Sequence, residues 1–227
     1  GTPVPVFSHV PKCAGTSAND IFAQWFWLVK DYSPAWGHEE NRAAYKAYCE
    51  KRYDPARLKP WMMIAGHWHV PGSYIDERYP EFLVRPEKFR VVTFVREPFD
   101  LQMSINYYEK KHGRWREEER EEIKERLLAR PNWLANRFPV TDESYREFLD
   151  RYFFIGIVED YDRSFRVLSK VLDRPFIPVP TLNIAKRSTN DFDETFMEKF
   201  REANALDYKI YEYSKRKFEE LAASVSL

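Results

Sequence analysis

The chain has 227 residues, 44% of them hydrophobic and 17% aromatic, which is enough apolar side chain for one sizeable core and excludes a disordered chain. Its 36 basic residues balance 36 acidic ones, so no global field favours a nucleic acid or an anionic membrane, and any polyanion has to be met locally. No run approaches the roughly 18–20 apolar residues of a membrane span, and two cysteines cannot build a disulfide framework.

The start lacks the order of a signal peptide. The expectation is a single domain over residues 1–227 in a reducing cytoplasm. A longer or membrane-anchored parent chain is left open, because the sequence begins at Gly1-Thr2.

Val4 to Val10 is short, β-branched and bounded by prolines, and it predicts a buried strand. A turn over Pro11 to Gly15 follows. Thr16 or Ser17 can then cap a helix through about Lys30, with Ile21, Trp25 and Leu28 on one apolar face. A second helix is predicted over Glu39 to Tyr53. Trp61 to Gly66 reads as the second strand and ends in Gly66-His67-Trp68-His69. Phe89 to Val95 is the third, and it runs into Arg96-Glu97-Pro98 and a helix to about Lys110. Arg114 to Arg130 is a charged surface helix. Tyr152 to Val158 is the fourth strand, followed by a helix over Glu159 to Leu172, a polar loop at Asn183 to Asn190, and helices over Phe192 to Ala203 and Asp207 to Ala222. Alternating strands and helices imply an α/β fold with a mostly parallel sheet covered on both faces and ligands beyond its carboxyl ends.

Pro11-Lys12-Cys13-Ala14-Gly15-Thr16-Ser17 therefore sits where backbone N–H groups and a helix dipole form an anion site. Gly15 lets the backbone approach the guest, Thr16 and Ser17 offer hydroxyls, and Lys12 supplies a mobile charge. The lysine precedes the glycine, unlike a G-x-x-x-x-G-K-[ST] loop, which argues against ordinary ATP or GTP. Arg96 and Ser104, about two helical turns apart, can share a second pocket, and a fork of guanidinium donors with a hydroxyl suits another phosphate. Cys13 reads as a small loop residue and His9 as a core histidine.

The segments Phe7-Ser8-His9-Val10-Pro11-Lys12-Cys13-Ala14-Gly15-Thr16-Ser17 and Thr93-Phe94-Val95-Arg96-Glu97-Pro98, continuing to Ser104 and Tyr108, resemble the 5′-phosphosulfate and 3′-phosphate motifs of sulfotransferases. The donor of that family is 3′-phosphoadenosine 5′-phosphosulfate (PAPS). Later blocks at Ile155 to Ser164, Leu182-Asn183 and Asn204 to Tyr211 are similar to family segments too. The His-Val-Pro-Lys form resembles the carbohydrate-type branch. The resemblance implies a P-loop-like three-layer fold and metal-free sulfuryl transfer to a hydroxyl, releasing adenosine 3′,5′-bisphosphate (PAP). It implies Lys12 at the leaving phosphate, Gly15 to Ser17 around the 5′-phosphate, and Arg96 with Ser104 on the 3′-phosphate. Lys186, Arg187 and Ser188 fall where relatives place a loop over the nucleotide.

Imidazole has the side-chain pKa nearest working pH, so His67 and His69 are the candidate general bases. A histidine after a strand-ending glycine serves as base in carbohydrate-type relatives, and Gly66-His67 is similar to that pattern, which makes His67 the first choice and His69 the reserve. A structural histidine or part of a zinc site are the alternatives for the pair. A carbohydrate acceptor is expected, a small alcohol remains open, and Trp36, Trp61, Trp68 and Trp115 are candidate stacking surfaces. The rival readings are a magnesium-dependent kinase and a non-catalytic nucleotide-binding module.

Overall fold

Residues 1–34, 41–113, 120–178 and 192–225 are described by the structure, a computed structural model. Five strands, Val4–Ser8 (β1), Trp27–Lys30 (β2), Met62–Gly66 (β3), Phe89–Val95 (β4) and Phe154–Ile157 (β5), form one parallel sheet in the order β2-β3-β1-β4-β5. Every residue of β1 and β5 is buried, as a strand covered on both faces requires. The fold is the expected α/β, P-loop-like arrangement, a parallel sheet flanked by helices.

The helices that position the site are Gly15–Trp25 (α1), Arg42–Glu50 (α2), Ile75–Arg78 (α3), Pro80–Val84 (α4), Pro98–Lys111 (α5), Arg120–Leu128 (α6) and Tyr145–Asp150 (α7). Tyr161–Val171 (α8), Glu194–Ala203 (α9) and Ala205–Ser224 (α10) complete the series. Phe7 of β1 packs edge-on against Phe22 of α1, centroids 5.0 Å apart, and Phe22 and Phe94 meet Phe165 of α8 at 5.8 and 5.2 Å. This aromatic cluster fixes α1 and α8 to the central strands. Each ring contributes about 1.5–3 kcal/mol by leaving water.

The short helices α3, α4 and α7 have no counterpart in the sequence reading, and one predicted element departs from it. The first helix does not reach Lys30: it stops at Trp25, Phe26 turns extended, and Trp27–Lys30 becomes the edge strand β2. Trp27, Leu28 and Val29 pair with Met62, Met63 and Ile64 of β3, and Asp31 N–H donates to Ala65 O at 2.8 Å. The β-favouring side chains there find hydrogen-bond partners that helical spacing alone did not reveal.

β3 and β4 follow each other among the strands yet lie on opposite sides of β1. A crevice opens at such a reversal, beyond the carboxyl ends of the strands. The segments that begin at His9, His67 and Arg96 all leave the sheet at this edge. Ser8 is in register with Gly66, and Thr93 Oγ1 donates to Ser8 O at 2.7 Å.

Candidate active site

The loop after β1 takes a strained path. Lys12 and Ala14 adopt positive φ angles of 64° and 58°, a left-handed conformation that costs a non-glycine residue about 1–2 kcal/mol. Tyr161 anchors the loop by donating its hydroxyl to Ala14 O at 2.8 Å. Helix α1 then begins at Gly15 with no side-chain cap and no acidic residue in its first turn. Among the described residues the N–H groups of Gly15, Thr16 and Ser17 have no protein acceptor, and the helix dipole adds positive potential there. Gly15 is needed for a reason the sequence did not suggest: a Cβ at this position would fall inside the His9 ring.

Arg96 follows β4, and its Nε is buried without a hydrogen-bond partner among the described residues. It meets the first loop at Cys13, which is 1% exposed. Burial pushes the Cys13 thiol far up, and the Arg96 charge and backbone hydrogen bond offset only part of that. A neutral, buried thiol is the small loop residue that the sequence suggested. Glu97 caps α5 by accepting the Asp100 N–H at 2.8 Å, and Tyr208 donates to its other oxygen at 2.9 Å. Ser104 and Tyr108 lie four residues apart on one face of α5. The Lys12 ammonium sits 4.4 Å over the Tyr108 ring, so this face runs alongside the loop. The two motifs, far apart in sequence, meet at one edge of the sheet.

Three histidines stand at the same edge in different circumstances. His67 Nε2 lies 2.9 Å from His9 Nδ1, which also lies 3.2 Å from the Tyr32 hydroxyl, and Asn19 Nδ2 donates to that hydroxyl at 2.8 Å. Burial holds His67 down to about 4, and burial with the neighbouring imidazoles holds His9 well below its usual value. Both are neutral at pH 7. His69 is 2% exposed, donates from Nδ1 to Arg137 O at 2.8 Å and turns Nε2 to Ser8 Oγ at 3.4 Å. With both nitrogens engaged inside the protein, His69 sits in a structural position, and burial takes it down to about 3. Among the described residues no group of three potential ligands gathers that could hold a metal ion.

Beside the histidines lies a buried ion pair. Arg78 donates from Nε and Nη2 to the two Asp31 oxygens at 2.8 and 2.9 Å, and Trp68 Nε1 and Tyr79 OH each reach Oδ2 at 2.9 Å. Burial alone would raise the Asp31 carboxyl, but Arg78 and these hydrogen bonds hold it below its usual value. Trp68 is therefore a fully buried core residue and not a stacking surface, whereas Trp61 is 64% exposed. Trp36, Trp115, Lys186, Arg187 and Ser188 fall outside the described residues.

Sequence reasoning passed over Tyr32 and Asn19, gave Tyr108 no role beyond its place in the second motif, and read His9 as a core histidine, although it is half-buried. Tyr32 has no motif around it; only the edge strand that the sequence hid brings it to the histidines. Tyr108 stands one turn beyond Ser104 in the same motif, so the i, i+4 spacing was the available signal.

No protein-family model matches the chain, and no curated protein sequence matches it. Among solved structures it is similar to a sulfotransferase from Alicyclobacillus acidocaldarius, at 12% identity, over 96% of each chain and with a TM-score of 0.54. The similarity extends over the whole chain and is one of fold. Among the described residues no helix is long and apolar enough to cross a membrane.

Proposed function

We propose that this chain is a PAPS-dependent sulfotransferase acting on a hydroxyl group, with a carbohydrate as the acceptor class. The observation that carries the reading is the uncapped first turn of α1 beside a lysine, with the unpartnered Arg96 Nε meeting the same loop from the next strand. Two separate anion sockets fit a nucleotide that bears phosphate at both 5′ and 3′ positions. The solved neighbour is a sulfotransferase, which agrees with that assignment.

PAPS supplies the sulfuryl group, which leaves its 5′-phosphate as the acceptor oxygen bonds to sulfur. In this reading Gly15, Thr16 and Ser17 present N–H groups and hydroxyls to the 5′-phosphate, with Pro11, Cys13 and Ala14 shaping the loop. Lys12 offsets the charge that grows on the bridging oxygen, an interaction stronger in the transition state than before it. Arg96 and Ser104 hold the 3′-phosphate. His67 takes the proton of the attacking hydroxyl. Its low basicity in the free protein favours the neutral, proton-accepting form at pH 7. Lys186, Arg187 and Ser188 are assigned to the nucleotide on sequence alone. No role in this scheme calls for a metal ion.

Thermal unfolding in the presence of PAP, adenosine 5′-phosphate, or ATP with magnesium tests the reading. Saturation at about 100 times the Kd stabilises by about 2.7 kcal/mol. PAP should raise Tm well above the effect of adenosine 5′-phosphate. A shift with ATP and magnesium alone would move the chain to the kinases. A PAP shift with no PAPS turnover on any acceptor would leave a nucleotide-binding module.

A further inference from the structure

A histidine can accept a proton only at a ring nitrogen that carries none, and its hydrogen bonds decide which nitrogen that is. His67 Nε2 stands 2.9 Å from His9 Nδ1, and no described residue hydrogen-bonds His67 Nδ1. One of the two facing nitrogens carries the proton. Tyr32 does not decide between them, because its oxygen can accept from Asn19 Nδ2 at 2.8 Å and from His9 Nδ1 at 3.2 Å alike. The base role does: with Nε2 closed off by His9, only Nδ1 of His67 is open to a substrate hydroxyl, so a proton-accepting His67 carries its own proton on Nε2 and His9 Nδ1 accepts it. The His9 proton then sits on Nε2, the end of the ring that rests over Gly15. His67 in turn donates through Nε2 and is left with a bare Nδ1.

We infer that His9 is a positioning residue: it accepts the His67 Nε2 proton and thereby presents His67 Nδ1 to the acceptor hydroxyl as the proton-accepting atom. This inference rests on His67 serving as the base. When a proton arrives at Nδ1, the ring becomes an imidazolium and its bond to His9 becomes charge-assisted. A neutral imidazole here does what a carboxylate does in a Ser-His-Asp triad, orienting the ring and fixing its tautomer. The parts come from both ends of the site. Asn19 belongs to α1, the helix whose first turn forms the anion socket, and Tyr32 follows β2 directly after Asp31.

The test combines a spectrum with a variant series. In protein labelled with ¹⁵N-histidine and free of ligand, long-range ¹H–¹⁵N correlations should show His67 protonated on Nε2 and bare on Nδ1. Turnover is read with PAPS and a mixture of desulfated heparan and chondroitin chains. His9→Ala should lower kcat by about 10- to 100-fold, the range seen when an orienting partner is lost, with the KM for PAPS unchanged. His9→Asn sets an amide near the Nδ1 position and should restore most of the rate, whereas His9→Gln, whose amide reaches the Nε2 end, should not.

A proton on His67 Nδ1, or equal losses in His9→Ala and His9→Asn, overturns the inference. A His67→Ala protein that keeps full turnover sinks the base assignment itself, while the spectrum still reports the hydrogen bond. If His67→Ala is inactive and His9→Ala is not impaired, only the positioning role falls.

Discussion

Two polar clusters adjoin at Asp31 and Tyr32, and they are built on opposite rules. Around Asp31 both carboxylate oxygens accept hydrogen bonds, from Arg78, Trp68 and Tyr79, and Arg78 spends further N–H groups on the carbonyls of Tyr48 and Lys51 at 2.6 and 2.9 Å. The first turn of α1 and Arg96 leave some of their polar groups open. Among the described residues the first-turn N–H groups have no protein acceptor, Arg96 Nε and Asn19 Oδ1 are buried without partners, and Lys12 and Ala14 carry left-handed strain. The closed cluster holds the edge strand β2 in place. Asp76 Oδ1, Arg137 Nε, Tyr152 OH and Arg174 Nε are also buried without partners among the described residues, so it is the meeting of such a group with an uncapped helix turn, and not one orphaned atom alone, that makes the open region a candidate anion site.

The contrast is broken most severely at the closed cluster. Asp31→Ala should lower unfolding stability by about 3–5 kcal/mol, because it strands a buried guanidinium, and denaturant titration reads that loss directly. The Asp31 carboxyl is held below its unfolded value. Its contribution is therefore complete above the unfolded pKa of about 3.9 and fades as pH falls through the folded value. An Asp31→Asn protein, already weakened at pH 7, should lose less on acidification than the parent.

At the open region the expected effects fall on function. Lys12→Ala should reduce sulfuryl transfer by about 10²- to 10³-fold, on the scale of one lost oxyanion donor, while PAP affinity falls far less. Equal losses in both would reduce Lys12 to a simple binding group. Arg96→Ala should weaken PAP by about 10- to 100-fold, as for a hydrogen bond to a charged group. Binding of adenosine 5′-phosphate should barely change, and a parallel loss for both nucleotides would remove the 3′-phosphate assignment. The smallest effect sharpens the contrast from the other side. Ala14→Gly relieves the left-handed backbone and should raise stability by about 1 kcal/mol, readable as a higher Tm.

Much of this is legible in the amino-acid sequence. The four strands other than β2 announce themselves as short apolar runs, and a parallel sheet necessarily gathers its carboxyl ends, so the Lys12 loop and Arg96 can be placed at one edge from sequence alone. The edge strand is hidden because Trp27 and Leu28 continue the apolar spacing of Ile21 and Trp25, and only pairing with Met62 and Met63 separates strand from helix. The difference in surroundings between His67 and His69 is equally invisible. Two residues apart, they differ only in what surrounds them, and His69 is enclosed by Ser8 and Arg137 from distant parts of the chain. The reading of His9 as a core histidine is corrected by its half-buried position, and it is silent about the neighbouring imidazole, because that contact spans 58 residues.

The burial of Cys13 turns the loop into its own stopwatch. A thiol sealed at 1% exposure and held protonated can react with a disulfide reagent only while the segment is open, so its labelling rate measures how often that happens. Cys49, half-buried on α2, provides an internal clock for the rest of the fold. A ligand seated on the first turn of α1 should slow the first thiol and leave the second unaltered. Occupancy of the site could then be followed by mass spectrometry, with neither turnover nor a known acceptor required.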